Sequence, residues 1–358
     1  MPVPRRLIVD PSTSGFYNCI SRCVRRAFLC GEGYEHRRRW IQNRLRVLAE
    51  TFAVDIAAYA ILSNHLHIVA RTMPDRVEGW SDREVAARWL RVCPGYRSDA
   101  YDATPSSQAI DRLAADRVRI AILRARLASL SWFMKSLKEP LAHLANAEDG
   151  VTGHFWEGRF RSPRVLDLAG VLATMVYTDL NVIRAGLAQT PEQSEYTSVR
   201  DRIHVRQRYF KLAGLRERAP QRAERLLRAD ARDRSPAHSE DGIWLAPIES
   251  RGSHEDDENA TGAIDGLPGV LEMSLDEYLA VVDMTGRVVR GDKTGAIPSE
   301  LATILARLEI DVERWVTVMS GLPRLFGTVV GGAVSRATEA ARRGVRWVCD
   351  AMQIDCPA

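Results

Sequence analysis

The sequence lacks the long apolar segments that membrane proteins need. Among its 358 residues no hydrophobic run approaches the length required to cross a bilayer, and residues 1–6 lead into no signal-like apolar segment. Apolar residues make up 46% of the chain and charged residues 27%, as is typical of a soluble globular protein. We therefore expect a cytoplasmic protein that is long enough for more than one domain.

Paired cysteines are also absent. The six cysteines show no Cys-x-x-Cys spacing, which favours reduced structural thiols over a metal site. A metal site built from the first three, Cys19, Cys23 and Cys30, is the alternative.

A strong net charge is missing as well, since the formal value is only +4. The basic residues are nevertheless unevenly distributed and gather at positions 22–26, 37–39 and 200–234. Clusters of this kind suit a polyanionic partner, although each one is equally typical of a solvated helix face.

Residues 59–71 predict two short strands that meet at a polar turn, Ser63-Asn64. Because side chains alternate along a strand, His65 and His67 should point to one side of it. Two adjacent imidazoles can hold a divalent ion if a third ligand comes from elsewhere in the fold. Taken alone, however, a His-x-His pair is more often an ordinary surface feature.

The remaining periodicity predicts a mixture of strands and helices. A first strand is expected at about 15–24, with a second short one ending near residue 166. Helices are expected at about 34–52, at 82–92 with Ser81 as N-cap, over 107–145 with a break or kink at Pro140, and from Asp167 to about Ala185. The last of these helices carries Tyr177 and Asn181, which share one face because they are four residues apart.

The chain also divides by composition. We predict a first domain at 1–205, a basic arm and flexible linker at 206–268, and a helical accessory domain at 269–358.

Three motifs together resemble the REP-associated tyrosine transposases, single-tyrosine members of the HUH superfamily. They are Ser63-Asn64-His65-Leu66-His67, the aromatic segment 155–160, and Tyr177-Thr178-Asp179-Leu180-Asn181-Val182-Ile183-Arg184-Ala185-Gly186-Leu187. The resemblance covers about residues 7–202, and the order and spacing of the motifs are more specific than any one of them. Val182 stands where the family usually has proline.

The resemblance implies an α+β fold, with a ferredoxin-like antiparallel sheet, packed helices (the HUH nuclease core) and a helical C-terminal extension. It also implies that Tyr177 attacks a phosphodiester of single-stranded DNA and leaves a 5′-phosphotyrosine link. His65, His67 and Asn181 would then bind Mg²⁺ or Mn²⁺, and the substrate would be single-stranded, hairpin or palindromic DNA. Such a protein would be bacterial and nucleoid-associated when bound to DNA.

Five arginines are candidates for DNA phosphate contacts: Arg22, Arg25, Arg26, Arg159 and Arg161. The aromatic residues Phe155, Trp156 and Phe160 either stack on unpaired bases or pack inside the domain. Two other functions remain open. One is a sequence-specific DNA-binding regulator that has lost cleavage, and the other is a phosphoesterase that uses water. The sequence also leaves open whether the protein is a monomer or a homodimer.

Overall fold

A computed structural model of the chain describes residues 8–93, 104–218, 244–249, 269–289 and 329–348. Its centre is a five-stranded sheet in the order β2-β3-β1-β4-β5. The strands are β1 Gly15–Arg22, β2 Val54–Ile61, β3 His65–Thr72, β4 Arg164–Val165 and β5 Val329–Val330. Neighbours are antiparallel except for β4 and β5, which are parallel. The predicted α+β class is confirmed, and the ferredoxin-like arrangement stays a prediction.

The described helices cover both faces of this sheet. They are α1 His36–Thr51, α2 Asp82–Val92, α3 Ser107–Ala114, α4 Arg117–Leu127, α5 Leu130–Glu148, α6 Leu168–Arg184, α7 Ser198–Arg218, α8 Leu275–Val289 and α9 Ala333–Arg343. No described helix combines the length and the apolar character that a membrane span requires.

The alternation of side chains along β3 separates two hydrophobic cores. Leu66 and Ile68 belong to the core that the sheet shares with α1, α2, α4 and α5. Val69 points the other way, into the core formed with α6 and α8. Alternate residues of a strand point to the same face, so His65 and His67 lie on the side of Val69 and face α6. The predicted hairpin with its turn at Ser63-Asn64 is confirmed.

The region predicted as helical over 107–145 is helical, but it consists of three helices, and the break predicted at Pro140 is wrong. The side chains of Asp116 and Ser129 accept backbone hydrogen bonds at the starts of α4 and α5 and so begin new helices. Pro140 lies inside α5 without ending it. Proline has no N–H for the Ser136 carbonyl, and that oxygen instead accepts a 3.0 Å hydrogen bond from Nε of the buried Arg44.

α6 forms as predicted. The Asp167 side chain accepts a hydrogen bond from the Gly170 backbone at its start, and Gly186 follows the last turn at φ 72°. Every residue from Gly170 to Ile183 is buried, because the helix has the sheet on one side and α8 on another. A helix buried on all sides holds its polar side chains in fixed positions.

The C-terminal residues join the same sheet and core. β5 adds a strand beside β4, so the extension is not exclusively helical. Residues 244–249 lie against β2, where the Ala246 backbone N–H donates to the Ile56 carbonyl at 2.9 Å. Most of the predicted arm and linker, residues 219–243 and 250–268, lies outside the described residues. α7 runs across the predicted boundary at 205, and the three-part division stays a prediction.

Candidate active site

The two histidines of β3 stand side by side on the face of the sheet that α6 covers. Their ring centroids are 5.2 Å apart. His67 lies opposite Ile20 of β1 and Ala60 of β2, and its side chain is 4% exposed. His65 lies near the strand end, opposite Arg22. The pair therefore lies in a largely buried region between β3 and α6, called the pocket below, and His67 is the more deeply buried of the two.

Tyr177 of α6 reaches the same pocket. Its ring centroid is 5.8 Å from that of His67, in an edge-to-face arrangement. Asn181 follows one helical turn later and is close enough to influence the Tyr177 hydroxyl. Tyr177 is 9% exposed and Asn181 8%. The structure thus brings together both histidines, the tyrosine and the asparagine that the sequence singled out.

Both imidazoles are neutral at neutral pH. Burial, together with the positive charge of Arg22, lowers the pKa of His65 to about 4. Burial lowers the pKa of His67 well below its usual value, and His65 and Arg22 act in the same direction. Neutral imidazole is the form that binds metals.

The hydroxyl of Tyr177 lies in a positively charged setting. Burial raises its pKa above the usual value of 10.0, while the charges of Arg184 and Arg22 and the Asn181 side chain offset part of that rise. Among the described residues, no aspartate or glutamate contributes to the pKa shift of Tyr177 or of either histidine. The pocket is therefore suited to an anion.

A cation site here would depend on His65, His67 and Asn181. In the described part of the chain no three His, Cys, Asp or Glu side chains gather closely enough to hold a metal ion. Nδ1 of His67 and Nδ2 of Asn181 are buried and have no hydrogen-bond partner there. Two imidazole nitrogens and an amide oxygen fit a divalent cation that takes its remaining ligands from phosphate or water.

The three N-terminal cysteines are not part of this site. Cys19, Cys23 and Cys30 are buried free thiols, and the alternative of a metal site among them finds no support in the described residues.

The five arginines predicted to contact DNA lie in different positions relative to the pocket. Arg22 lies beside His65, and Arg25 and Arg26 are exposed in the short turn that follows β1. Arg161 pairs with Ile20 of β1 and so lies one strand away from His67 on the same face. Arg159 is exposed and lines a separate groove of about 560 Å³ along α5.

The aromatic segment packs inside the protein. Phe155, Trp156 and Phe160 are 4%, 8% and 7% exposed, and the Trp156 indole N–H donates to the Lys138 carbonyl at 2.9 Å. The three rings also line the groove that Arg159 lines, so their largely buried packing does not decide between the two predicted roles.

Sequence reasoning missed two residues of the pocket, Asn64 and Arg184. Asn64 hydrogen-bonds Nδ1 of His65 at 2.7 Å. The Arg184 guanidinium carbon lies 5.0 Å from the centroid of the Tyr177 ring. A signal for Arg184 was present, because seven residues make two helical turns and place it on the face of Tyr177. No sequence pattern indicated the contact of Asn64.

The comparisons with known proteins add one distant similarity. No family model matches the chain, and none of the curated proteins does. Among solved structures, a REP-associated tyrosine transposase bound to a REP hairpin is similar at 12% identity and a TM-score of 0.33. The match covers 55% of this chain and 82% of that one. This is a distant structural relationship, and it establishes no activity for this chain.

Proposed function

We propose that this chain is a metal-dependent single-stranded DNA endonuclease and strand transferase, with Tyr177 as the nucleophile and hairpin or palindromic repeat DNA as the substrate. The observation that carries the proposal is the edge-to-face contact between Tyr177 and His67 inside one buried pocket. A phenol, two neutral imidazoles and a carboxamide meet there, close to the positive charges of Arg22 and Arg184.

The reaction needs little beyond these groups. The Tyr177 oxygen forms a bond to phosphorus and loses its proton, while the bond from phosphorus to the 3′-oxygen breaks and that oxygen gains a proton. The product is a 5′-phosphotyrosine link and a free 3′-hydroxyl end. A phenolate is also a tolerable leaving group, so a 3′-hydroxyl can reverse the step and join the strands again.

Burial raises the pKa of the Tyr177 hydroxyl overall, and nearby positive charge offsets only part of that rise. Burial disfavours the phenolate, and the guanidinium of Arg184 over the ring acts in the opposite direction. Anionic DNA is drawn to the same charges. His65, His67 and Asn181 would hold Mg²⁺ or Mn²⁺, which when bound supplies positive charge beside the phosphate oxygens. Because Arg22 is close, we expect the cation to bind best together with a phosphate.

The scaffold also supports this assignment. β1, β2, β3 and β4 have one helix between the first two strands and several between the last two, and they lie in the order β2-β3-β1-β4. This order is compatible with the split βαβ, or ferredoxin-like, sheet that we propose for the core. The histidine strand occupies a central position, where its side chains are held rigidly against α6.

The test is formation of a covalent adduct. The purified protein is incubated with end-labelled single-stranded hairpin DNA from the flanks of its own gene, with Mg²⁺, with Mn²⁺ or with chelator. The fraction of labelled DNA that is covalently bound to protein is then measured on a denaturing gel. We expect a metal-dependent adduct that is lost in Tyr177→Phe and His65→Ala. Tyr34→Phe is the matched control, because Tyr34 is 37% exposed and lies outside the pocket.

Two results would contradict the proposal. Cleavage without an adduct, surviving Tyr177→Phe, would identify water as the nucleophile. Binding of the hairpin without cleavage under any metal condition would indicate a regulatory DNA-binding protein on the same scaffold.

A further inference from the structure

Arg184 is placed to act on whatever Tyr177 attacks. It is the last residue of α6, and its guanidinium carbon lies 5.0 Å from the Tyr177 ring centroid. Among the described residues, Tyr177 is the only group whose charge influences the pKa of Arg184. The two side chains thus share one small part of the pocket.

The guanidinium of Arg184 is buried without a hydrogen-bond partner. Its Nε, Nη1 and Nη2 are all shielded from solvent, and none donates to any acceptor in the described part of the chain. Burial lowers the pKa of this guanidinium. Buried charges in proteins are normally paired, because an unpaired charge loses its favourable hydration energy without gaining a compensating interaction.

The contrast with Arg37 shows what is missing. Arg37 is 2% exposed, yet its guanidinium donates to both Glu148 and Asp149 and to the Leu29 carbonyl. Within the described ranges, Arg184 has no such carboxylate partner. Of the described arginines, it alone has all three guanidinium nitrogens buried and unpartnered.

The unpaired donors of Arg184 suit an anion with several acceptor oxygens. A guanidinium presents a planar fork of donors that matches phosphate. The Nδ2 of Asn181, one turn before Arg184, is a further buried donor without a partner. Arg22 adds positive charge to the same pocket. A phosphate group fits this set better than a carboxylate, because it offers more oxygens to more than one donor.

We propose that Arg184 binds the non-bridging oxygens of the phosphodiester that Tyr177 attacks. This inference rests on the proposed function and adds a substrate-binding residue to it. Arg184 then holds the phosphate beside the Tyr177 hydroxyl, and the negative charge of the DNA replaces the hydration that the guanidinium has lost. A lysine at this position would supply the charge but not the fork of donors.

The test uses inorganic phosphate as the probe, in the full chain with chelator and without DNA. Unfolding temperature is measured against phosphate concentration, at ionic strength matched with chloride. We expect phosphate to raise the unfolding temperature of the wild type, because a ligand that binds the folded state stabilises it. In Arg184→Gln the apparent affinity for phosphate should fall at least tenfold, and Arg184→Lys should retain part of it.

Arg112→Gln is the control, since Arg112 is exposed on α3, and it should respond to phosphate as the wild type does. In chloride alone, Arg184→Gln should be at least as stable as the wild type, because it removes an unpaired buried charge. An equal phosphate response in Arg184→Gln and wild type would overturn the inference. A clear loss of stability of Arg184→Gln and Arg184→Lys in chloride would do so too, since it would reveal a structural partner.

This assay separates the inference from the proposed function. If phosphate binding depends on Arg184 but wild type forms no DNA adduct, the anion site stands and the transferase activity fails. If wild type and Arg184→Gln form adducts alike and respond alike to phosphate, the activity stands and the role of Arg184 fails.

Discussion

Asn64 fixes the tautomer of His65. The Asn64 side-chain oxygen can only accept, so Nδ1 of His65 must donate the 2.7 Å hydrogen bond between them. The Asn64 amide nitrogen in turn donates to the Arg26 carbonyl at 3.1 Å, which sets the orientation of the carboxamide. The lone pair of His65 is therefore on Nε2, ready to serve as a ligand.

The first prediction follows from this contact. Asn64→Ala should lower the rate of adduct formation about 10-fold to 100-fold, the usual effect of removing a partner behind a metal-binding histidine. Stability should change by no more than about 1 kcal/mol, since the two hydrogen bonds that are lost are exposed or only partly buried. Adduct yield against time and urea unfolding measure the two effects. Ser63→Ala, in the same turn, is the control, and equal rates in both variants would refute the idea.

A second prediction concerns how α6 is held. Asp179, two residues after Tyr177, accepts hydrogen bonds from the Ser198 hydroxyl, the Val199 N–H (3.0 Å) and the Tyr278 hydroxyl (2.6 Å). Burial raises the pKa of Asp179, and Arg202 with these donors offsets part of the rise. The carboxylate thus joins α6 to α7 and α8.

Tyr278→Phe leaves one oxygen of that buried carboxylate without its donor. We expect a loss of about 1–3 kcal/mol in the free energy of unfolding and slower adduct formation, because α6 carries the nucleophile. Urea unfolding and the gel assay measure both, with exposed Tyr34→Phe as the control. In a double-mutant cycle with Asp179→Asn the effects should not add. Additive losses would mean that the two side chains act independently.

The third prediction is a pH dependence of stability at α9. Glu339 is 4% exposed and forms ion pairs with Arg164, Arg342 and Arg343. Burial raises its pKa, but the hydrogen bonds from Arg342 and Arg343 and the nearby positive charges outweigh burial, so the pKa is lowered overall from 4.5.

Because the folded pKa is the lower one, the stabilisation is fully present above pH 4.5 and is lost as pH falls through the folded value. Glu339→Gln should be about 1–3 kcal/mol less stable than wild type at pH 7. The difference should shrink below pH 4.5, as urea titrations between pH 3 and pH 7 would show. Glu78→Gln, at an exposed position, should differ little at any pH. A gap that persists unchanged at pH 3 would contradict this assignment.

A fourth prediction concerns the Ser136 carbonyl, which accepts a hydrogen bond from Arg44 in place of the N–H that Pro140 lacks. Arg44→Met should cost about 1–3 kcal/mol, since the carbonyl of Ser136 then has neither a helical N–H nor the guanidinium as donor. Adding Pro140→Ala supplies the missing N–H, so the double variant should recover about 1 kcal/mol of that loss. Thermal and urea unfolding of the four proteins complete the cycle. No recovery in the double variant would show that the Arg44 contact with Ser136 is incidental.

The sequence predicted the parts of the site that depend on local periodicity. Alternation placed His65 and His67 on one face of β3, and helical spacing placed Tyr177 over Asn181, because both patterns reflect backbone geometry alone. The N-cap at Ser81 was also predictable from local sequence, and the Ser81 Oγ accepts a hydrogen bond from the Glu84 backbone N–H.

The features that could not be predicted from the sequence mostly depend on contacts between segments that are far apart in the chain. The break of the 107–145 helix was missed because Asp116 and Ser129 compete with a helical pattern that continues through them. The carbonyl that Pro140 leaves without a helical donor is hydrogen-bonded by Arg44, far away in the chain. Likewise, only the folded chain shows that Tyr278 meets Asp179.

The edge strand β5 has a consequence for synthesis on the ribosome. β4 is only two residues long, and its outer edge pairs with Val329–Val330, which emerge long after it. During translation the rest of the sheet therefore has an uncovered edge that another nascent chain can pair with. Folding of this protein should be most vulnerable to aggregation in the interval before residue 330 leaves the exit tunnel.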